Sequence, residues 1–341
     1  MIRLNSMLFS VVIPAYNARD SIKRTIESLE KQSCKDFEVV FVDDGSSDDT
    51  LAVISSLRSA LKETTVIHQQ NAGVFQARRT GASMCKGDYI LFLDADDQLR
   101  QDALLLLAEA MQSSHADIIS FCYTRNQDFS KDKFIAAPLS NGLYDDTKME
   151  LVKHQLCRGH LNSIWSNAIR KTLFRSTPEY TKPHRISFGE DLLQMIDLIN
   201  ACNSFYQLDD ALYYYYDSNQ SAQTSSFSIT QLPDIDYVTT HLIEYASTWG
   251  RSFQLEACCS RIEQFLYLAQ INELSDTNPA EKKRNYHKLH QFMSEHGVFK
   301  NAPLRMLRID NLFVFIALKV KFWRLSSTVI RMREAVKRFL A

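Results

Sequence analysis

The chain has 341 residues, 39 of them basic and 40 acidic, for a formal net charge of −1. With 45% hydrophobic and 23% charged residues it reads as a folded chain of about two domains, not as a disordered, collagen-like or low-complexity one. A near-zero balance excludes a uniformly basic nucleic-acid binder, unless the charge is segregated along the chain.

The opening MIRLNSMLFSVVIPAYN has one Arg, a short apolar run and no small-residue cleavage site. It reads as a first β-strand over 8–13, stopped by Pro14, rather than as a signal peptide. Helical spacing follows over 21–31, then a buried strand over 37–42 and a helix over 50–61. A short strand over 65–68, a helix over 74–85, a strand over 89–93, a helix over 102–111 and a strand over 117–122 complete the alternation. Apolar strands bounded by amphipathic helices predict βαβ units and an α/β fold with a mostly parallel, Rossmann-like sheet. Ligands gather at the carboxyl ends of such strands. From 126 to 220 the pattern loosens, with helices near 145–157 and 190–201 and a tyrosine-rich strand over 211–217. Alternation puts two of Tyr213, Tyr214, Tyr215 and Tyr216 on each face of that strand. From 229 onward the signals are helical. The polar stretch SNQSAQTSSFS marks a boundary, giving a first domain over 1–225 and a helical extension over 226–341. No run of 18 apolar residues occurs, so no membrane-spanning helix is expected. Seven cysteines without C-x-x-C spacing suggest reduced thiols in a cytoplasmic compartment.

Three acidic clusters sit where a strand or loop meets a helix. The first is Asp43-Asp44-Gly45-Ser46-Ser47-Asp48-Asp49. Asp48 and Asp49 fall in a first helical turn, where acids offset the helix dipole. Asp43 and Asp44 end a strand, where adjacent carboxylates are costly unless they meet a donor or cation. The second is Asp94-Ala95-Asp96-Asp97. Alternation sends Asp94 and Asp96 to one side of an extended chain, where both reach one divalent cation; oxygen ligands suit Mn²⁺ or Mg²⁺. Asp97 assists them or caps the next helix. The third is Glu190-Asp191 after Gly189, at the start of a helix.

Read in order, Val11-Val12-Ile13-Pro14-Ala15-Tyr16-Asn17, Val42-Asp43-Asp44-Gly45-Ser46-Ser47-Asp48, Asn71-Ala72-Gly73-Val74, Gly87-Asp88-Tyr89-Ile90 and Leu93-Asp94-Ala95-Asp96-Asp97 resemble the family 2 inverting glycosyltransferases of GT-A fold. The resemblance covers about 8–220. It implies a hexosyl- or N-acetylhexosaminyltransferase that takes a nucleoside-diphosphate sugar, expected to be a UDP-sugar, and serves a glycan or lipid-linked acceptor in bacterial surface polysaccharide synthesis. It assigns Pro14, Tyr16, Asp43, Asp44, Arg78 and Asp94 to the donor nucleotide, and Asp94 and Asp96 to the metal. It makes Asp191 the base that deprotonates the acceptor hydroxyl, with Glu190 supporting it. A carboxylate such as Asp44 accepts the N3–H of uracil and repels the N3 acceptor of cytosine. Tyr16 is placed to stack on base or ribose. Phe75, Gln76 and Arg79 depart from the family pattern beside Arg78, and Asn167 stands where relatives often carry Lys. His184-Arg185 is a loop pair near the acceptor cluster. Two other readings stay open: a nucleotidyltransferase or acidic-pocket phosphatase on a related sheet, and a non-catalytic nucleotide-sugar-binding module. The first strand is followed by no glycine-rich loop and no nucleophilic aspartate, which weighs against the former.

The neutral total hides a segregation. Residues 305–341 carry nine bases and two acids, a net of +7, and leave 30 bases and 38 acids, a net of −8, in 1–304. An apolar run over 312–318 and Phe322-Trp323 lie inside this basic tail. It is too short and charged to span a bilayer, but it suits an anionic membrane surface with Phe322 and Trp323 inserted. A peripheral location on the inner face of the cell membrane, and no nucleic-acid partner, follow as expectations.

Overall fold

The computed structural model describes residues 8–129, 134–135, 137–176, 185–216, 227–300 and 302–340. The expected domain boundary near 225 and His184 lie outside them. The chain folds into two compact units: residues 1–155, 161–186 and 190–217 form the first, and residues 156–160, 187–189 and 218–341 the second.

The first unit begins with β1 (Phe9–Ala15), α1 (Ile22–Glu30), β2 (Phe37–Asp43), α2 (Thr50–Leu57), β3 (Thr64–His68), α3 (Val74–Met84) and β4 (Tyr89–Phe92). β5 (Gln98–Leu99), α4 (Ala103–Ser114), β6 (Ile118–Thr124), β7 (Phe134–Ile135), β8 (Gly142–Asp145) and α5 (Met149–Cys157) follow. β9 (Asn167–Arg170), α6 (Glu190–Ala201) and β10 (Ser204–Tyr214) complete the α/β part. The sheet order is β3-β2-β1-β4-β9-β6-β10-β5, with β7 on β6 and β8 on β10. β1 to β4 pair in parallel, as the apolar runs predict. β9 inserts antiparallel between β4 and β6, so the sheet is mixed.

Pro14 does not stop β1. The strand continues to Ala15, with Pro14 opposite Val42. Pairing of β1 with β4 ends at Val12, whose carbonyl accepts the Leu93 N–H. Side alternation puts the missing Pro14 N–H on the β4 side, so proline ends one ladder and leaves the other intact. Every residue of β1, β2 and β4 is buried. Phe9, Val11, Ile13, Val39 and Phe41 pack with Ile22, Ile26 and Leu29 of α1 and Ile54 of α2. Each such side chain contributes about 1.5–3 kcal/mol through burial. On the opposite face α3 approaches closely at Gly81, where a Cβ would collide with Val12 and crowd Val42.

The tyrosine run alternates as expected. Tyr213 and Tyr215 pack on Trp165, with ring centroids 4.7 and 5.7 Å away. Tyr214 contacts Tyr216, over which the Arg24 guanidinium sits 3.6 Å from the ring centroid. The strand starts earlier than the expected 211–217 and ends earlier, running from Ser204 to Tyr214, with Tyr215 and Tyr216 just beyond it.

The second unit is helical: α7 (Gln231–Trp249), α8 (Arg251–Leu274), α9 (Pro279–Glu295), α10 (Ile309–Lys319) and α11 (Trp323–Leu340). α9 opens with Pro279 at its first turn and the Asn278 side chain accepting the Glu281 N–H at 2.9 Å. Leu232, Phe265, Tyr286, Leu289, Phe315 and Ile330 join in its core. Buried Glu273 of α8 accepts hydrogen bonds from Tyr286 of α9 and from Ser327 and Arg331 of α11, which ties three helices together. Trp323 does not stand free for lipid: its ring stacks on Tyr286, 5.8 Å away and 9° from parallel. Among the described residues no helix is long and apolar enough to cross a membrane. All seven cysteines are unpaired thiols, and burial pushes Cys85, Cys157 and Cys202 up to about 12, which keeps them protonated.

Candidate active site

The carboxyl ends of β2 and β4 and the start of α6 carry the three expected acidic clusters, but each aspartate is used differently. Asp44, 3% exposed, anchors the loop before α3. Its Oδ1 accepts Gln69 Nε2 at 2.7 Å and the Ala72 N–H at 2.8 Å, and its Oδ2 accepts the Gly73 N–H at 2.7 Å. Four lone-pair sites minus three donors leave about one for a ligand. Gly73 holds φ +93°, and a Cβ there would strike Arg185, whose Nη1 donates to Asn71 Oδ1 at 2.5 Å. Arg185 therefore secures this loop. Asp43 is buried at the end of β2, beside His68 Nδ1 at 2.6 Å and accepting the Ser46 N–H at 3.3 Å. His68 is its register partner on β3, a relation that histidine spacing alone does not reveal. Asn17 accepts the Ser47 N–H at 2.9 Å and donates its own N–H to Ser46, fixing the β1 loop to the β2 loop. Tyr16 beside it is 53% exposed, free to stack. Asp48 accepts the Thr50 N–H at 3.0 Å at the start of α2.

Asp94 and Asp96 are not on an extended chain. The Asp97 N–H donates to the Asp94 carbonyl at 3.1 Å, so 94–97 is a turn, and β5 follows at once. The pairing of the two carboxylates comes from that turn and not from strand alternation. Both are half-buried. Burial, then the neighbouring Asp94 charge, pushes Asp96 above the usual carboxylate range. Asp97 does not cap α4, whose N-cap is Asp102. It is buried and pushed up to about 8, by burial first and then by Asp94 and Asp96. It accepts Tyr213 Oη–H at 2.6 Å and the Tyr216 N–H at 2.7 Å, while the Asp94 N–H donates to Tyr213 Oη at 3.2 Å. Tyr213 thus fastens the acidic turn to β10. Tyr213→Phe leaves Asp97 short of a buried donor and is expected to cost about 1–3 kcal/mol, read as a lower thermal midpoint with the secondary structure unchanged.

A divalent cation fits Asp94 and Asp96. They are hard oxygen donors in mutual repulsion. Among the described residues no group of three His, Cys, Asp or Glu side chains is placed to hold a metal. Two carboxylates completed by water and phosphate oxygens are the arrangement Mg²⁺ and Mn²⁺ accept.

Arg78 joins the second cluster to the third. It lies buried on α3. Nη2 donates to Asp94 Oδ1 at 3.0 Å, and Nη1 pairs with Asp191 Oδ1. Asp191 Oδ2 accepts the Ile164 N–H at 3.3 Å. Burial opposes the charge of Arg78, but Asp191, Asp94 and Glu190 outweigh it and raise its affinity for the proton. Its Nε–H has no hydrogen-bond partner among the described residues. Burial raises Asp191 above the usual range, with Arg78 opposing, and pushes Glu190 up to about 7, with Asp191 adding to the push. Asp94, Asp191 and Arg78 thus form one site, with Glu190 beside it. Sequence reasoning assigns these residues to separate donor and base roles and misses the bridge. Asn167 is buried in β9 and donates to the Ser163 carbonyl at 2.7 Å, a local structural bond.

Residues 10–174 match the family model described as glycosyl transferase family 2. The acidic pair Glu190-Asp191 lies beyond those residues. An uncharacterized glycosyltransferase, EpsJ of Bacillus subtilis (strain 168), is 27% identical over 237 residues, covering 69% of this chain and 66% of that one. The amylovoran biosynthesis glycosyltransferase AmsB of Erwinia amylovora is 46% identical over 104 residues, covering 30% of this chain and 35% of that one. The chain therefore spans less than two thirds of the length of either relative. The crystal structure of S. aureus TarS 1–349 in complex with UDP-GlcNAc has a similar fold, with a TM-score of 0.65 and 19% identity, over 96% of this chain and 92% of that one.

Proposed function

The chain belongs to glycosyl transferase family 2 through residues 10–174, and from that premise we propose that it is a metal-dependent inverting transferase of the GT-A fold. It moves a hexosyl or N-acetylhexosaminyl group from a UDP-sugar to a glycan or lipid-linked acceptor in surface polysaccharide synthesis. The observation that carries this reading is the Arg78 bridge, which joins a metal-type aspartate at a strand end to a buried aspartate at a helix start. An inverting transfer needs both at one locus: an anchor for the leaving diphosphate and a base for the incoming hydroxyl. The UDP-GlcNAc bound by a protein of similar fold supports a UDP-sugar, and the amylovoran role of a relative supports polysaccharide synthesis.

Each residue then has a task. Tyr16 stacks on the nucleoside, and Asp44 offers its remaining lone pair to the N3–H of uracil while shaping the loop. Asp43 and Pro14 keep the floor of the nucleotide site at the ends of β2 and β1. Asp94 and Asp96 would hold Mn²⁺ or Mg²⁺, and the ion would supply positive charge to the diphosphate leaving group. The unpaired Nε–H of Arg78 donates to an incoming phosphate oxygen. Asp191 takes the proton of the acceptor hydroxyl as it attacks the anomeric carbon, and Glu190 supports it. No covalent sugar–protein intermediate forms. The helical unit carries the chain to the cytoplasmic face of an anionic membrane.

UDP release from a panel of UDP-sugars, with Mn²⁺ or Mg²⁺ and then with EDTA, tests the reading. Slow metal-dependent hydrolysis of one donor is expected, and Asp96→Asn should lower it by about 10²-fold or more. Formation of UTP and a sugar phosphate when pyrophosphate is added, instead of UDP, would favour a nucleotidyltransferase. Donor binding without turnover, acceptors included, would favour a binding module.

A further inference from the structure

The helical unit exposes a continuous apolar stripe. Ile309, Phe313, Ile316 and Val320 follow one another at helical spacing along α10, and each is between 41% and 75% exposed. Phe322, in the turn after α10, is 55% exposed. The other face of α10 is spent: Val314, Phe315, Ala317 and Leu318 are buried in the helical core. The stripe is bordered by cations. Arg305, Lys319, Lys321 and Arg324 are all exposed, and Arg308, also exposed, pairs with Asp310 at 3.3 Å. At the corner between α10 and α11 a cavity of ≈ 580 Å³ is lined by Lys282, Lys283, Lys321, Arg324 and Arg331 with Phe322 at its edge. The acid lining it, Glu273, is already neutralised by Arg331 at 2.6 Å.

We propose that this face of α10 and the basic corner beside it dock the chain on an anionic lipid bilayer, with Phe313, Ile316, Val320 and Phe322 in the acyl boundary and Lys321 and Arg324 on lipid phosphates. An apolar stripe rimmed by cations is the pattern of a helix lying in a membrane interface. The cations decide the occupant. A second copy of the chain would bring like charge against like charge around its own stripe, whereas a bilayer of anionic lipid matches both the apolar strip and its rim. The surface is narrower than the whole basic tail. Arg333 is bound to Asp310 at 3.3 Å, and Lys337 to Glu334 at 3.0 Å. Arg333 ties α11 to α10, Lys337 is neutralised within α11, and the lipid contacts fall to α10 and the corner. The proposal gives the peripheral location of the preceding reading its surface, and it stands or falls separately from the transfer chemistry.

The test is co-sedimentation of the full chain with vesicles of phosphatidylcholine, with and without phosphatidylglycerol. Binding is expected only with phosphatidylglycerol, and it should weaken as salt rises. Lys321→Glu/Arg324→Glu is expected to lower it by about tenfold or more. Ile309→Asp and Phe313→Asp, at exposed positions, should do the same with unchanged circular dichroism. UDP release from the soluble donor serves as the separate readout: it stays at the wild-type rate in these variants if both readings hold. Its absence in the wild type, with vesicle binding intact, would overturn the transfer reading alone. Equal sedimentation with neutral and anionic vesicles would overturn the docking proposal. So would a doubled solution mass that Phe313→Asp returns to one chain, or inorganic phosphate displacing the protein while Phe313→Asp binds as wild type.

Discussion

Asp191→Asn is expected to lower sugar transfer by about 10²–10⁴-fold while leaving UDP-sugar binding within a few-fold of wild type. The substitution keeps the shape and the oxygen that accepts from Arg78 and removes the ability to take a proton, together with the Ile164 N–H bond that Oδ2 now accepts. That makes it a test of the base and not of the pocket. A parallel loss of donor affinity would mean that Asp191 builds the donor site instead. The pH profile gives a second readout. A base must be ionised, and burial holds both carboxyls of the pair above their usual range, Glu190 at about 7. Transfer should therefore fall as pH drops below about 7, with an apparent midpoint that belongs to the pair. Stability runs the other way. A carboxyl whose folded pKa is raised contributes stability below its unfolded pKa, and that contribution is lost as pH rises through the folded value. Between about pH 4.5 and 7 the site thus gains activity as this pair loses stability. Glu190→Gln should raise the thermal midpoint at pH 8 relative to wild type, and should do so less at pH 5.

The sheet is legible in the sequence to the extent that its strands are local apolar runs. β1, β2 and β4 are buried on both faces, so their sequences are nearly continuous in Val, Ile, Leu and Phe. β9 is not legible: Asn167 to Arg170 is a four-residue strand whose place is set by β4 and β6 on either side. The same contrast holds in the site. Asp43, Asp44, Asp94, Asp96, Glu190 and Asp191 are conspicuous as acidic pairs at element ends. Their use is not, because it depends on partners far along the chain. Asp97 reads as a ligand or a cap, and its partners are Tyr213 at the end of β10 and Tyr216 just beyond it. The turn at 94–97 defeats the alternation argument because one short hydrogen-bonded turn replaces two residues of strand. Arg78 reads as a donor contact, and the chain folds its guanidinium between Asp94 and Asp191.

That bridge sets the second large prediction. Arg78→Met should destabilise the chain by about 3–5 kcal/mol at neutral pH, because it strips the cation from a buried cluster and leaves Asp94 and Asp191 facing each other. The loss should depend on pH. Without Arg78 the carboxyls are protonated more readily, so the variant's deficit shrinks at pH 5 and grows at pH 8, as urea unfolding at the two pH values would show. Arg78→Lys keeps a charge but offers one compact ammonium where a planar fork now reaches two carboxylates, so a partial loss is expected. The double variant Arg78→Met/Asp191→Asn is the sharper measurement. If the bridge is one unit, removing one of the charges that Arg78 neutralises offsets part of the damage, and the double variant is more stable than Arg78→Met alone. Additive losses would mean that Arg78 and Asp191 act independently, and the bridge would then be a contact of the resting fold without energetic weight. Transfer stays lost in the double variant under either outcome, since its base is gone, so stability is the readout that decides.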